Sequence, residues 1–422
     1  MKFLLKLAVR NLFRHGRRTL ITAIAIAAGL SIYIFMDSML LGMELESQRN
    51  LVWYETSAAR VHEQGYWAER TTHPLDVVIE TPEPLVAALS QRGIAGAPRT
   101  VFSGELVVFQ DPYPEDGSAR ITAYAIDPMR DDDVFRLKET IVAGRYVKPG
   151  EAGAVIGSWL AEDLGADVGY PLTIVTRTRQ GYYQTVDLEI VGIARTPNPV
   201  INRGGIFLPL DTADRYLQME GAVTEINMQL SGPVVTGGER YMRERTQEIE
   251  TALASVVPNI VVFSWRDMAA DYLALAEVKK SASGIILFLV FIIAAVGVSN
   301  TMLMSVYERT QELAMLRAMG MSSREIRITF AAEATGIGIL GALFGAALGA
   351  VLAAFLVYIG IDMGWMMRDM DIGYRIAQQM RGTWHPAAFF QGGLLAIVVA
   401  PLIALVPVRR ALKMEVSDAL RG

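Results

Sequence analysis

No cysteine occurs in the 422 residues, so disulfides and thiolate metal sites are excluded and the redox compartment is left undetermined. Histidine is nearly as scarce. The four present, His15, His62, His73 and His385, are scattered, without the i, i+4 spacing that a helical metal pair needs. The run Asp131, Asp132 and Asp133 lacks the glycine and further ligands of a calcium loop, and it reads as a solvated turn. Also missing is G-x-x-x-x-G-K-[ST], the loop whose backbone amides cradle nucleotide phosphates. No nucleotide-binding loop of that type is therefore read in the chain, and no catalytic constellation supports a membrane enzyme.

Apolar sequence, by contrast, is abundant: 52% of the residues are hydrophobic, rich for a chain that is also 20% charged. The excess lies in four runs. Residues 19–41 are uncharged except for Asp37, and 284–306, 334–361 and 388–406 carry no charge at all. As helices rising about 1.5 Å per residue, each is long enough to cross a hydrocarbon core of roughly 30 Å. Backbone groups in lipid have to be satisfied within the segment, which favours helices. The first run is longer than a signal-peptide core and no clean cleavage pattern closes it, so it reads as an uncleaved anchor.

Basic residues near the helix ends set the orientation. Residues 1–18 hold Lys2, Lys6, Arg10, Arg14, Arg17 and Arg18 with no acid; 307–329 holds Arg309, Arg317, Arg324 and Arg327; the tail holds Arg409, Arg410, Lys413 and Arg421. The positive-inside rule puts all three in the cytoplasm. The domain plan that follows is 1–18 as a cytoplasmic amphipathic helix, with Lys2, Lys6, Arg10 and Arg14 on one face, and 19–41 as the first crossing. Residues 42–283 form a large outer domain, 284–306 the second crossing and 307–329 a cytoplasmic loop. The third crossing is 330–361, an outer loop 362–387, the fourth crossing 388–407, and 408–422 a cytoplasmic tail. Residues 43–280 hold 22 basic against 34 acidic side chains; with the acidic mass outside and the basic edge facing the lipid, no nucleic-acid partner is indicated.

The outer segment is long enough for a core of its own. Strand-like runs occur at 104–110, 119–126, 153–157, 170–178, 185–194, 204–210, 224–231 and 259–265, and helical runs at 82–93, 158–165 and 238–256. The expected fold is therefore four transmembrane helices plus an α+β outer domain whose centre, about 104–210, is β-rich. In the third crossing Gly338, Gly341, Gly345 and Gly349 line one face, where small residues let another helix backbone approach. Asp37 and Glu333 lie near run ends, where charge is less costly than at mid-bilayer; interfacial anchoring and a proton-relay role both remain open for them.

Between the second and third runs lies YERTQELAMLRAMGMSSREI, 307–326. Glu308 and Glu312 share a helix face, and the helix ends at Gly320, a common stopping residue. The pattern Glu308-Arg309-x-x-Glu312-Leu313-Ala314-x-x-Arg317-Ala318-Met319-Gly320 resembles the signature of FtsX-like permeases, membrane subunits of ATP-binding-cassette transporters that include the MacB and LolC/LolE types. Further segments resemble the family as well: 11–29, Ser264-Trp265 with the helix after it, and the closing PLIALVPVRRALKMEVSDALRG.

The resemblance implies a non-catalytic subunit of the cell inner membrane, with both termini cytoplasmic, whose 307–329 loop carries a coupling helix for separate ATPase subunits. Glu308, Arg309, Glu312, Leu313, Leu316, Arg317 and Gly320 would dock or position that helix. ATP and Mg would be bound by the partner ATPase and no cofactor by this chain. A second permease copy or paralogue is implied, together with a porter-like outer domain carrying a β-rich insertion. Separate subunits and Ile126-Asp127-Pro128, similar to the G-I-D-P of lipoprotein-releasing permeases with Ala125 for the glycine, favour lipoprotein cargo. Export of a peptide or antibiotic with a periplasmic adaptor, or an FtsX-like signalling scaffold, are the alternatives.

Overall fold

The computed structural model describes residues 10, 12, 14, 16–107, 118–309, 312, 315, 317, 319–362 and 379–411. Helix α1 (Gly16–Leu51) is followed by strand β1 (Ala59–Glu63), helix α2 (Pro82–Ser90) and the long strand β2 (Ala95–Val107). Next come β3 (Ser118–Ile126), β4 (Ile141–Gly144), β5 (Gly153–Gly157), β6 (Pro171–Arg177), β7 (Tyr183–Ala194) and β8 (Gly205–Pro209), with short helices at Pro128–Asp131, Ser158–Leu164 and Pro199–Gly204. Helix α3 (Leu210–Leu217), β9 (Glu225–Gln229), α4 (Gly238–Ala254) and β10 (Ile260–Ser264) lead to three long helices, α5 (Ala270–Glu308), α6 (Ser323–Tyr358) and α7 (Pro386–Ala411).

The chain divides into two compact units, one gathering Met1–Met43, Ala276–Ile361 and Met380–Gly422, the other Glu44–Leu275 and Asp362–Gln379. Three helices among the described residues, Thr19–Thr56, Ser323–Tyr358 and Pro386–Arg409, are long and apolar enough to cross a membrane. The uncharged run 284–306 lies within the 39-residue α5. Helix α6 starts sharply because Ser322 and Glu325 form a reciprocal capping box, each side chain accepting from the other's backbone N–H. Its glycines meet two neighbours. A Cβ on Gly341, Gly345 or Gly349 would come within 3 Å of Ile26, Leu30 or Ile34 of α1, and one on Gly338 within 2.9 Å of the Ala396 carbonyl of α7. Further along α1, Asp37 Oδ2 lies 2.5 Å from Nδ1 of His385, and Ser38 Oγ donates to the Thr383 carbonyl at 2.9 Å.

In the second unit, the strands described form one ten-stranded sheet in the order β10-β1-β9-β2-β3-β8-β5-β7-β4, with β6 pairing to β2 and β7. Most pairings are antiparallel; β3 with β8 and β5 with β7 run parallel. The strand expected from residue 104 starts earlier, at Ala95, and its opening residues pair with β9 while Glu105–Val107 pair with β6. Strand β2 therefore joins the central β-rich part to the flanking strands. One apolar core surrounds Phe102, Leu106, Ile174, Ile190 and Leu208. A second gathers Leu85 and Leu89 of α2, Met242, Ile249 and Leu253 of α4, and Trp265, whose indole N–H donates to the Val234 carbonyl at 2.9 Å. The 3–4 spacing of those α2 and α4 residues puts each set on one helical face.

A buried polar layer crosses this sheet. In β1, Arg60 and His62 share a face by the two-residue period, as do Glu225 and Asn227 in β9. Arg60 pairs with Glu225 at 3.0 Å and donates to Asn227 Oδ1 at 2.8 Å, while Asn227 Nδ2 donates to Glu225 at 2.8 Å. Here the structure corrects the reading of Asp131 as part of a solvated turn. Asp131 is 1% exposed, 2.6 Å from the equally buried Arg99, and accepts from the Tyr146 hydroxyl at 3.1 Å. Local sequence predicts solvent because the balancing cation lies 32 residues earlier. Asp132 is the more accessible neighbour and pairs with Lys138 at 2.6 Å.

His62 makes this layer sensitive to acid. Its Nδ1 lies 2.8 Å from the Thr224 carbonyl, its ring stacks on Tyr66 at 4.3 Å, and among the described residues Nε2 has no partner. Burial, opposed in part by nearby Glu225, lowers its pKa from 6.5 to about 4. For Glu225, burial acts to raise the pKa, yet Arg60, His62 and Asn227 together hold the carboxyl below its usual range. Between pH 6.5 and 4 the unfolded chain binds a proton at His62 that the fold refuses, so stability is lost as pH falls through that window. The loss reaches ~3 kcal/mol at its lower end, and Glu225 extends it to lower pH. Chemical unfolding of the full chain at pH 7, 5.5 and 4.5, compared with His62→Gln, is expected to show a shallower pH dependence in the variant. Equal slopes would remove His62 as the cause.

Candidate functional site

The charged stretch between α5 and α6 belongs entirely to the helical unit. Helix α5 ends at Glu308 and Arg309 forms a turn, its N–H donating to the Val306 carbonyl at 3.2 Å. Positions 312, 315 and 317 are helical, and the segment closes where Met319 N–H reaches Met315 O at 2.9 Å and Gly320 N–H reaches Arg317 O at 3.0 Å. Gly320 has φ of +97°, a left-handed conformation that a side chain disfavours, and the Ser322 cap follows directly.

The predicted residues do not all face the same way. Glu308 is exposed and Arg317 half-buried, whereas Arg309 is 8% exposed and points into the helical unit. Its Nε lies 3.2 Å from Glu312, its Nη1 lies 3.4 Å from Glu333 of α6, and its guanidinium sits 5.7 Å from the Phe330 ring centroid. Glu312, with a side chain 40% exposed, is also approached by Arg14 at 3.4 Å. Leu313 and Leu316 lie outside the described residues. Among the described residues of this segment, Tyr307, Met315 and Met319 are exposed apolar side chains, at 61%, 52% and 76%. Sequence reasoning missed Tyr307 and Met315, although a long apolar side chain within a charged helix is itself a signal of a contact surface.

What the arrangement can do is therefore mechanical. Among its described residues the segment presents Glu308, Glu312, Tyr307, Met315 and Met319 around the turn at Arg309, and one buried guanidinium ties it inward. The other unit contains a polar cleft of about 720 Å³ between the 69–76 segment and the β6–β7 turn, lined by His73, Ser103, Arg120, Arg177 and Arg179 among others. His73 Nδ1 lies 2.7 Å from Ser103 Oγ, and Arg179 is paired with Glu80.

Two family models match this chain. Residues 19–237 match the MacB-like periplasmic core domain and residues 284–416 the FtsX-like permease C-terminal domain. Among curated relatives, the lipoprotein-releasing system transmembrane protein LolC of Neisseria meningitidis is 23% identical over 311 residues, 70% of this chain and 71% of that protein. The LolC protein of Xylella fastidiosa is 22% identical over 410 residues, 94% and 92% of the two chains. The macrolide export ATP-binding/permease protein MacB of Brucella melitensis is 20% identical over 385 residues, 88% of this chain and 56% of its own.

Proposed function

Because the chain belongs to the family of FtsX-like, MacB/LolC-type ABC transporter permeases, we propose that it is the non-catalytic membrane subunit through which a separate ATPase drives its outer domain. In this reading α1, α5, α6 and α7 supply four crossings of the inner membrane, and both termini and the 307–329 segment face the cytoplasm. The observation that carries it is the 307–320 segment, charged, helical at 312, 315 and 317, with Met315 and Met319 exposed, set between two long apolar helices inside the FtsX-like match. Hydrophobic groups presented with charge on a short helix suit capture in a groove of a soluble partner. ATP and Mg belong to that partner. A second permease copy or paralogue completes the assembly.

For cargo, lipoproteins released from the inner membrane are the leading reading. It is supported by relatives named for lipoprotein release that align along nearly the whole chain and by Ile126-Asp127-Pro128. Export of a small molecule or peptide with a periplasmic adaptor is the second reading, supported by the MacB relative. Crosslinking of acylated lipoproteins to the outer domain separates the two.

The test of the coupling role is co-purification. Tagged full-length chain, solubilised from its own host in mild detergent, is expected to retain an ATPase subunit, and Glu312→Lys is expected to lose tenfold or more of it, about 1.4 kcal/mol of association or greater. Retention unchanged by the substitution would count against docking through Glu312. An unmodified chain that carries no ATPase would sink the permease reading.

A further inference from the structure

We propose that Arg309 and Glu333 form a buried clamp that fastens the 307–320 segment to α6, making them positioning residues for energy coupling and not part of the ATPase contact surface. The inference rests on the permease reading above.

Both side chains are nearly inaccessible, at 9% and 7% exposure. Around them lie Val306, Ile326, Phe330, Ala334 and Ile337, all buried in one apolar cluster. Desolvating two charges in such surroundings is costly, and a well-packed apolar pair commonly gives equal or greater stability. The ion pair thus supplies something that packing would not, a directional tie between two named atoms.

The position of the tie gives it a use. Arg309 sits at the turn that interrupts the helix, where a chain with nothing to hold it would swivel and absorb any displacement of the segment beyond. Glu333 is ten residues into α6, roughly 15 Å from its start, well past the Ser322 cap. A planar guanidinium can hold two carboxylates and lie against a ring at once, and Arg309 has Glu312, Glu333 and Phe330 within reach. A partner that moves Glu312 therefore pulls on Arg309, and through it on the body of α6. Arg14, also on Glu312, brings the segment before α1 into the same network.

Arg309→Gln and Glu333→Gln remove one charge each, and Arg309→Lys keeps the charge while losing the fork. Each is purified as the full chain with the ATPase subunit it retains. ATP-dependent change in the outer domain is read as the difference in limited proteolysis between ATP with vanadate and ADP. The two Gln variants are expected to retain the ATPase subunit at the wild-type ratio but to lose tenfold or more of the ATP-dependent difference, with Arg309→Lys keeping a third or more. A wild-type proteolysis response in both Gln variants overturns the clamp, and so does loss of the ATPase subunit from them, since that would make the pair a docking element. Arg309→Lys as defective as Arg309→Gln also overturns it. Failure of the permease reading itself is distinguishable, because the unsubstituted chain would then retain no ATPase.

Discussion

Asp131→Ala is expected to cost the outer domain ~3–5 kcal/mol, the usual consequence of stranding one member of a buried ion pair. Arg99 and Asp131 are each 1% exposed and 2.6 Å apart, and Arg99 also lies 3.4 Å from the Phe135 ring centroid. Without the carboxylate, the guanidinium keeps its charge, because arginine does not deprotonate in proteins, and the Tyr146 hydroxyl loses its acceptor at the same time. The Arg99 Nη1 atom already has no hydrogen-bond partner among the described residues, and the Phe135 ring offers no second carboxylate to balance the charge. A domain of this size should show a fall in thermal midpoint of roughly 10 °C. The double substitution Arg99→Met/Asp131→Leu, which removes both charges, should recover most of the loss. A single-variant cost below about 1 kcal/mol would mean that water reaches Arg99 and the pair is not sealed.

Gly345→Leu is the second large effect, in the helical unit. A Cβ there would stand 2.9 Å from Leu30 Cβ and 3.0 Å from both Cα and O of Ala27. Two of those three atoms are backbone, which cannot turn aside as a side chain could, so α1 and α6 must separate. Small residues at such contacts supply close van der Waals packing where no hydrophobic drive operates between helices in lipid. A cost of ~3 kcal/mol, the upper end for overpacking, should appear as a lower unfolding midpoint in detergent and a smaller monodisperse fraction. Gly393→Leu is the control, since a Cβ at Gly393 meets nothing within 4 Å. Equal behaviour of the two variants would remove helix contact as the reason for the glycine.

The helices were legible because hydropathy belongs to the residues themselves. Apolar runs at 19–41 and 388–406 fall within α1 and α7, and 334–361 overlaps α6 up to its end at Tyr358, although α1 continues to Leu51 through a polar stretch that hydropathy alone would end sooner. Most strand positions in the outer domain were legible from alternation and turn residues. Strand β1, Ala-Arg-Val-His-Glu, was not. It has few apolar residues, and its burial depends on Glu225 and Asn227, more than 160 positions later.

The site shows the same division. Gly320 and the Ser322 cap announce themselves locally, since a left-handed φ and a capping box are properties of adjacent residues. That Arg309 turns inward is decided by Glu333 and Phe330 on another helix, and no local pattern contains that information. Charged residues in this chain thus read as solvent-facing in sequence, and several prove to be interior partners.

The 13-residue strand β2, roughly 40 Å long at strand rise, has one further consequence. Because it carries ladder bonds to β9 at one end and to β3 and β6 at the other, sliding one half of this sheet past the other would break those bonds. The shared strand is a beam that braces the two halves of the sheet against each other.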